Sequence, residues 1–224
     1  MCGIIGFTGR KPAKDILIDG LERLEYRGYD SAGIALLNDD DTLTIRKKAG
    51  RVSELRELCK DGDYSSTCGI GHTRWATHGG VTDANAHPHR CGNVALIHNG
   101  IIENYSDIIR EYGLADKLVS ETDSEVVAAL LDTLYDGDPI AAIRKAVKII
   151  AGSFALCIMF ADRPGIIYAV RNVSPMVAAH SEEGSIIASD LTAIISFSKD
   201  YFVVPEYHIL TMTQEGIRVE DLKG

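Results

Sequence analysis

Hydrophobic residues recur along the chain with the spacings of both helices and strands. Apolar residues three or four apart predict helices over residues 13–26, 52–58, 122–134, 139–151 and 190–197. Short apolar or alternating runs predict strands over residues 2–9, 33–37, 43–47, 68–75, 94–97, 153–161, 166–171, 176–180, 185–189 and 201–204, and a last hairpin over 208–219. Strand and helix do not alternate strictly, which favours antiparallel sheets covered by helices. The predicted fold is therefore an α+β sandwich.

Three segments carry more specific signals. Residues 122–125 read Thr-Asp-Ser-Glu, the spacing of a capping box, so an amphipathic helix is expected to begin there. Residues 94–97 are apolar on both faces and predict a central strand. Residues 76–93 form a predicted loop that carries three histidines. A loop of this length inside a compact domain usually carries function.

Composition limits the classes of protein that fit. The 224 residues, 46% of them hydrophobic, are enough for one well-packed domain over residues 1–224. A net charge of -9 and the lack of a basic run argue against nucleic-acid binding, and no apolar stretch reaches membrane-spanning length. Five cysteines, an odd number without a CxxC pair, indicate a reducing compartment, and we expect a cytoplasmic protein.

Cys2 follows the initiator methionine and becomes the N-terminal residue once Met1 is removed. Its thiol could then attack a carbonyl carbon while its own α-amine takes the thiol proton. An α-amine with a pKa near 7.8 is roughly 15% neutral at pH 7, against less than about 0.1% for an ordinary lysine. The alternative is that Cys2 is only a small buried hydrophobic residue, as most free cysteines are.

Arg74 ends an apolar predicted strand, just before the long loop. Because a guanidinium matches a carboxylate with two parallel hydrogen bonds, a small acidic substrate is a natural ligand. A structural ion pair is the alternative. Trp75, the only tryptophan, could be a lid that excludes water, or could simply anchor the loop by packing.

Two further groups could complete a catalytic site. Asn99 and Gly100 follow the central strand and offer an amide and a backbone N–H suited to an oxyanion, although Asn-Gly is also a common turn. Asp123 lies in the first turn of a predicted helix, where it could receive a substrate ammonium or merely cap the helix. A ligand with an α-carboxylate, an α-ammonium and a scissile side-chain amide is glutamine or asparagine, and its hydrolysis would pass through a thioester.

A metal site is the competing interpretation of several residues. Side chains that could bind zinc are His72, His87, His89, Cys68 and Cys91, but their spacing fits no standard zinc pattern. The usual nucleotide-binding and serine-hydrolase motifs are absent from the sequence. We expect neither a metal nor a cofactor.

Several motifs together resemble one known family over nearly the whole chain. They are CGIIG (2–6), LEYRGYDSAG (24–33), HTRWATHG (72–79), NAHPH (85–89), HNGIIEN (98–104) and ETD (121–123). This wording closely resembles the glutaminase domain of glutamine-fructose-6-phosphate aminotransferases, the glucosamine-6-phosphate synthases. The related amidotransferases that act on phosphoribosyl pyrophosphate are less similar.

The resemblance implies an N-terminal-nucleophile hydrolase fold, a four-layer sandwich with two antiparallel sheets between helical layers, and class II glutamine amidotransferase activity. The implied catalytic residues are Cys2 as nucleophile and base, Asn99 and Gly100 as the oxyanion hole, and Arg27 in support of the nucleophile. The implied glutamine-binding residues are Arg74 for the carboxylate, Asp123 for the ammonium, Trp75, Thr77 and His78 on the closing loop, and His87 beside them.

The resemblance also implies partners. L-glutamine would be the small-molecule substrate, and C-terminal sugar-phosphate isomerase domains would complete the full-length chain. Residues 1–224 lack those domains, so we expect an excised domain that releases ammonia. A homodimer is an open alternative. If Met1 is retained, Cys2 lacks its base, and a catalytically silent glutamine-binding domain becomes the alternative function; a thiol redox or metal-binding protein is a third.

Overall fold

The computed structural model describes residues 2–76 and 79–222. The helices are α1 Ala13–Leu24, α2 Val52–Leu58, α3 Tyr105–Tyr112, α4 Asp123–Leu134 and α5 Pro139–Ile149. The strands are β1 Gly3–Gly9, β2 Ser31–Leu37, β3 Leu43–Ala49, β4 Cys68–Arg74, β5 His89–Cys91, β6 Val94–Ile102, β7 Gly152–Phe160, β8 Ile167–Asn172, β9 Val177–Ser181, β10 Gly184–Ala188, β11 Tyr201–Val203, β12 His208–Thr213 and β13 Gly216–Asp221. None of these helices is long and apolar enough to cross a membrane.

The described strands form two sheets in which neighbouring strands are antiparallel. The first has seven strands in the order β11-β9-β10-β1-β4-β2-β3, and the second has six in the order β13-β12-β8-β7-β6-β5. The first strand of the chain, β1, therefore lies inside its sheet. It pairs with β10 on one side and β4 on the other, with Gly3 opposite Thr73 of β4.

Three apolar clusters separate four layers. The central cluster joins the facing sides of the two sheets, with Ile4 and Ile70 from one and Ile97 and Cys157 from the other. A second cluster packs α1 and α2 on the outer face of the first sheet. A third packs α3, α4 and α5 on the outer face of the second. This arrangement confirms the predicted four-layer α+β sandwich.

Most predicted elements are present, but several features differ from the predictions. The predicted helix over residues 190–197 is only a short 3-10 turn, Leu191–Ala193, because the Asp190 side chain accepts a hydrogen bond from the backbone N–H of Thr192 at 2.8 Å and closes a local turn instead. Strand β5 lies in what was predicted to be loop, and β6 continues to Ile102. Helix α3 was not predicted; it is only eight residues long, and Ile108 is its one buried residue.

Helix α4 also differs from its prediction. Residues 123–131 are all buried, so the helix has no solvent face along most of its length, because α3, α5 and the second sheet surround it. The Thr122 hydroxyl accepts from the backbone N–H of Glu125 at 3.2 Å, as a capping box requires. The Glu125 carboxylate does not return to Thr122, however, and accepts instead from the backbone N–H groups of Val119 and Ser120.

Helix α5 offers a direct test of local stability. The Asp138 carboxylate accepts from the backbone N–H of Ala141 at 3.0 Å, and Pro139 occupies the first helical position. Replacing Asp138 by Ala should lower the free energy of unfolding by about 1 kcal/mol, because one N–H group of the first turn loses its partner. Urea unfolding measures the change. Asp61→Ala, which removes an exposed carboxylate without a hydrogen bond among the described residues, is the control; equal effects would contradict the capping role.

Candidate active site

Cys2 lies immediately before the central strand β1, in the wall of a cavity of about 360 Å³. The backbone N–H of Trp75 donates to its Sγ at 3.2 Å. Burial raises the pKa of the Cys2 thiol; the Trp75 hydrogen bond and the Arg74 charge oppose this, and the Asp30 charge adds to it. The resting form is therefore the thiol, which needs a base before it can attack a carbonyl.

The cavity collects the predicted site residues from distant parts of the chain. Those that the structure describes all line it: Cys2, Arg27, Arg74, Trp75, His87, Asn99, Gly100 and Asp123. Thr77 and His78 lie outside the described residues. The catalytic and binding roles assigned to this set remain predictions, but the fold brings together residues separated by as many as 121 positions, as for Cys2 and Asp123.

Arg74 is fixed at the end of β4 with only 4% of its surface exposed. Its guanidinium donates to the carbonyl oxygen of Gly80 at 3.0 Å and lies 3.9 Å from the Asp30 carboxylate. Asp30 also accepts from the backbone N–H of Ala76, so the same carboxylate holds the start of the following loop. Arg74 therefore lies close to an acidic partner and also lines the cavity.

Asn99 reaches across from the second sheet to Cys2. Its Nδ2 donates to the carbonyl oxygen of Cys2 at 3.1 Å, and its Oδ1 accepts from Nε2 of His72 at 2.9 Å. The two contacts define which end of the carboxamide is the donor, because Nε2 can serve the oxygen only by donating. An N–H donor of Asn99 is thus directed at the Cys2 end of the cavity.

Gly100 continues β6 with φ of 134°, in the region that favours glycine. A Cβ at this position would collide with the carbonyl oxygen of Ser153 on the neighbouring strand. The residue is exposed to the cavity, whereas the preceding six strand residues are buried. A side chain would therefore disturb the strand pairing at the point where the strand meets the site.

Asp123 is buried at the start of α4. One carboxylate oxygen accepts from the backbone N–H of Ile102 at 2.8 Å, and the other from the Ser124 hydroxyl at 3.3 Å. Ser124 also lies 2.8 Å from Nδ1 of His98. Asp123 therefore links the helix to the end of β6, and its charge faces the cavity from the side opposite the first sheet.

Four buried histidines lie in or directly behind the cavity wall, and two of them, His87 and His98, line the cavity. His72 stacks on His87 with ring centroids 4.1 Å apart, and His87 meets the edge of His89 at 4.6 Å. Burial lowers the pKa of His72 to about 3 and lowers the pKa values of His87 and His89 well below the ordinary value. Burial also lowers the pKa of His98, although the Asp123 charge partly opposes it. All four rings are neutral near pH 7.

Trp75 and Arg27 shape the opposite rim. The Trp75 ring, 53% exposed, lies against Gly28, where φ is 110° and a Cβ would collide with the indole. Arg27 donates to the Ser189 carbonyl at 3.3 Å and to the Asp190 carboxylate at 3.2 Å. The glycine-rich loop after α1 thus packs against the tryptophan, and Arg27 ties this loop to the segment after β10.

Sequence reasoning missed several cavity residues. They are His98, Thr122, Ser124, Ser153, Ser174 and Pro175. Ser124 and Thr122 were treated only as part of a helix cap, although their place beside Asp123 was a usable signal. Ser174 follows Val173, which has a left-handed φ of 67° that a β-branched residue rarely adopts.

The metal interpretation finds no support in the geometry. Within residues 2–76 and 79–222, no group of three or more His, Cys, Asp or Glu side chains is arranged to hold a metal ion. Cys68 lies against the sulfur of Met159, and Cys91 lies 3.9 Å from the Asp132 carboxylate. The histidines instead pack against one another.

Comparison with known proteins decides the family. Residues 72–196, more than half of the chain, match the family of glutamine amidotransferase domains. The chain belongs to that family. The cavity of this glutamine amidotransferase domain is built largely inside or beside the matched segment, and the predicted resemblance is confirmed.

Curated relatives extend the match over the full length of the domain. Glutamine–fructose-6-phosphate aminotransferase [isomerizing] of Fusobacterium nucleatum is 45% identical over 227 residues, covering 99% of this chain and 37% of the relative. The enzymes of that name from Thermus thermophilus and Clostridium tetani are 43% and 41% identical, each covering 100% of this chain and 37% of the relative. The chain thus spans little more than a third of the length of these relatives.

Solved structures share the architecture. Glutamine phosphoribosylpyrophosphate amidotransferase from B. subtilis, complexed with ADP and GMP, has a TM-score of 0.84 at 24% identity, over 99% of this chain and 49% of that chain. A glutamine aminotransferase class-II domain protein from Silicibacter pomeroyi has a TM-score of 0.69 at 15% identity, over 99% of both chains. At these identities the likeness concerns the fold, and it confirms the predicted N-terminal-nucleophile hydrolase sandwich.

The buried histidines predict acid lability. They stay neutral in the folded domain, whereas the unfolded chain binds their protons as pH falls below about 6.5. The free energy of unfolding should therefore fall from about pH 6.5 downwards, toward the pKa of about 3 for His72. Replacing His89 by Gln should flatten this dependence by up to about 1.4 kcal/mol per pH unit.

Urea unfolding between about pH 7 and pH 5 measures the slope. The matched control is His180→Gln, at an exposed strand position, which should leave the slope closer to that of the wild type. If His89→Gln kept the full wild-type slope, His89 would not be one of the groups that take up protons on unfolding.

Proposed function

We propose that this domain hydrolyses the side-chain amide of glutamine to glutamate and ammonia through a thioester on Cys2. The observation that carries the proposal is the contact between Asn99 and Cys2, in which Nδ2 of the amide lies 3.1 Å from the Cys2 carbonyl oxygen. An amide donor directed at the nucleophile is what an oxyanion formed during attack requires. Gly100 exposes its backbone at the same edge of the cavity.

The charges around the cavity suit an amino acid. Arg74 supplies a cation at the end of β4, and its match to a carboxylate supports binding of the glutamine α-carboxylate. Asp123 supplies a carboxylate at the start of α4, and each of its oxygens can accept more than one hydrogen bond. It supports binding of the α-ammonium. The Trp75 indole would then cover the substrate and exclude water from the thioester.

The chemistry requires removal of Met1, which frees the α-amine of Cys2. The amine takes the thiol proton as Sγ bonds to the amide carbon, and Asn99 Nδ2 and Gly100 N–H stabilise the oxyanion. The C–N bond then breaks, and the protonated amine returns its proton to the leaving ammonia. Water, deprotonated by the same amine, adds to the thioester, and glutamate leaves as the thiol re-forms.

The acceptor of the ammonia is proposed from the relatives. Their name, glutamine–fructose-6-phosphate aminotransferase [isomerizing], supports fructose 6-phosphate as acceptor and sugar-phosphate isomerase domains as partners in a longer protein. The phosphoribosyl pyrophosphate alternative is less favoured, because the similarity to that enzyme is 24% in sequence. Free thiols at all five cysteines, each among the described residues, support a cytoplasmic location. Homodimerisation stays a prediction.

The test is glutamate release from glutamine by a chain whose intact mass shows that Met1 has been removed. Cys2→Ala should reduce release to background while glutamine binding, followed by calorimetry, changes by less than about threefold, since the binding groups remain. Cys59→Ala, which removes a buried thiol packed between α1 and α2, is the matched control and should retain turnover. Appreciable turnover by Cys2→Ala, or none by the processed wild type, would overturn the proposal.

The α-amine base predicts a pH dependence of its own. Only the neutral amine can take the thiol proton, so kcat/KM should fall by about tenfold per pH unit once the pH lies below the amine pKa, near about 7.8 in an ordinary chain end. Initial rates across this range measure it. Returning each sample to the starting pH must restore the full rate, which separates the effect from acid unfolding. A flat profile would exclude the amine as base.

A further inference from the structure

The end of strand β6 has an unusual neighbour on its outer edge. Strand β5 covers β6 only as far as the pair His89 and Leu96. Two residues later, side chains take the place of the missing strand. The backbone N–H of His98 donates to Nδ1 of His87 at 3.3 Å, and the His98 carbonyl accepts from Nε2 of His72 at 3.0 Å. Imidazoles therefore hold the strand at the residue before Asn99.

His72 makes a second contact with the same nitrogen. Its Nε2 lies 2.9 Å from Oδ1 of Asn99 as well as 3.0 Å from the His98 carbonyl oxygen. Both partners are acceptors, so Nε2 must carry the proton and donate to both. Burial keeps the ring neutral, with a pKa lowered to about 3, so this tautomer persists through the working pH range.

This contact and the donation from Nδ2 to the Cys2 carbonyl oxygen together set the orientation of the Asn99 carboxamide. With Oδ1 held by His72, Nδ2 faces Cys2. A carboxamide turned by half a rotation would present its oxygen to the same place and would repel an oxyanion instead of stabilising it. Shape alone distinguishes the two orientations poorly, because the oxygen and the NH2 group have similar size.

We propose that His72 is a positioning residue for glutamine hydrolysis, which fixes the Asn99 carboxamide with its N–H group toward the oxyanion. The role rests on the proposed function. His72 does not touch the reacting atoms and acts through Asn99. The His87 ring stacks on His72 and accepts a hydrogen bond from the His98 N–H, so it holds both the His72 imidazole and strand β6 in place.

The first test compares His72→Leu, which removes the donor at similar size, with His72→Gln, whose side-chain amide can place an N–H near the position of Nε2. Loss of one oxyanion donor typically costs about 10²- to 10³-fold in kcat, and a donor left unfixed should cost part of that. We expect His72→Leu to lower kcat for glutamine by about 10- to 100-fold with KM within about threefold. His72→Gln should recover most of the loss.

Alkylation of Cys2 by iodoacetamide, followed by intact mass, separates positioning from general damage. Alkylation displaces iodide at a saturated carbon and forms no oxyanion, so His72→Leu should alkylate within about twofold of the wild-type rate. A merely structural role would change alkylation and turnover together. If His72→Leu does not fold, His72→Asn replaces it, because its amide is polar but one methylene too short to reach Asn99.

A double-mutant cycle with Asn99→Ala tests whether His72 acts through Asn99. Once the carboxamide is gone, adding His72→Leu should lower kcat by less than about twofold, whereas independent effects would multiply. Multiplying effects, or full activity of His72→Leu in an active wild-type background, would overturn the role of His72 and leave the proposed function standing. A processed wild-type chain that releases no glutamate would overturn both.

Discussion

The pairing of β1 on both of its edges is the constraint on which the site depends. Ile5 lies opposite Ala188 of β10, and Gly3 lies opposite Thr73 of β4. The pairing of β1 with β10 extends one residue toward the N-terminus: the Ile4 N–H donates to the Ser189 hydroxyl, and the Ile4 carbonyl accepts from the Ser189 N–H. The first residues of a chain are usually mobile, but here Cys2 is followed at once by a strand that is hydrogen-bonded on both edges.

The same register decides which residues surround the nucleophile. Because β4 runs antiparallel to β1, its last residue, Arg74, and the Trp75 that follows it lie beside Cys2. The second sheet brings Asn99 to the same place from the other side of the central apolar layer. Cys2, Arg74 and Asn99 therefore each lie in or directly beside a strand, so the geometry of the site depends on the pairing of the two sheets.

Elements with a strong apolar period could be predicted from the sequence, and those held by tertiary contacts could not. Helix α2 was predicted with its observed bounds, because Val52 and Leu55 give it a clear buried face. Strand β5 has only one buried residue in three and exists because β6 offers it an edge. Strand β6 continues through the polar His98 and Asn99, which a hydrophobic pattern cannot follow, since these side chains are buried by partners far away in sequence.

In the candidate site, too, some residues could be predicted from the sequence and others could not. Residue types that carry chemistry, such as Cys2 and Arg74, could be singled out from sequence, and the motifs around them named the family. Their supports could not, because the contact between His72 and Asn99 joins residues 27 positions apart, and it depends on burial keeping the ring neutral and on two acceptors that require the proton on Nε2. Asp30 is similar: nothing in its loop indicates that it will hold Arg74 and the Ala76 N–H.

Trp75 gives the domain a built-in optical reporter. It is the only tryptophan in the chain, its indole is about half exposed, and it lies against Gly28 at the rim of the cavity. The backbone N–H of Trp75 donates a hydrogen bond to the Cys2 thiol, so the fluorescent residue is in direct contact with Cys2. Emission excited selectively at tryptophan therefore comes from one place only. Any change in its wavelength or quenching describes the mouth of this cavity and no other part of the molecule.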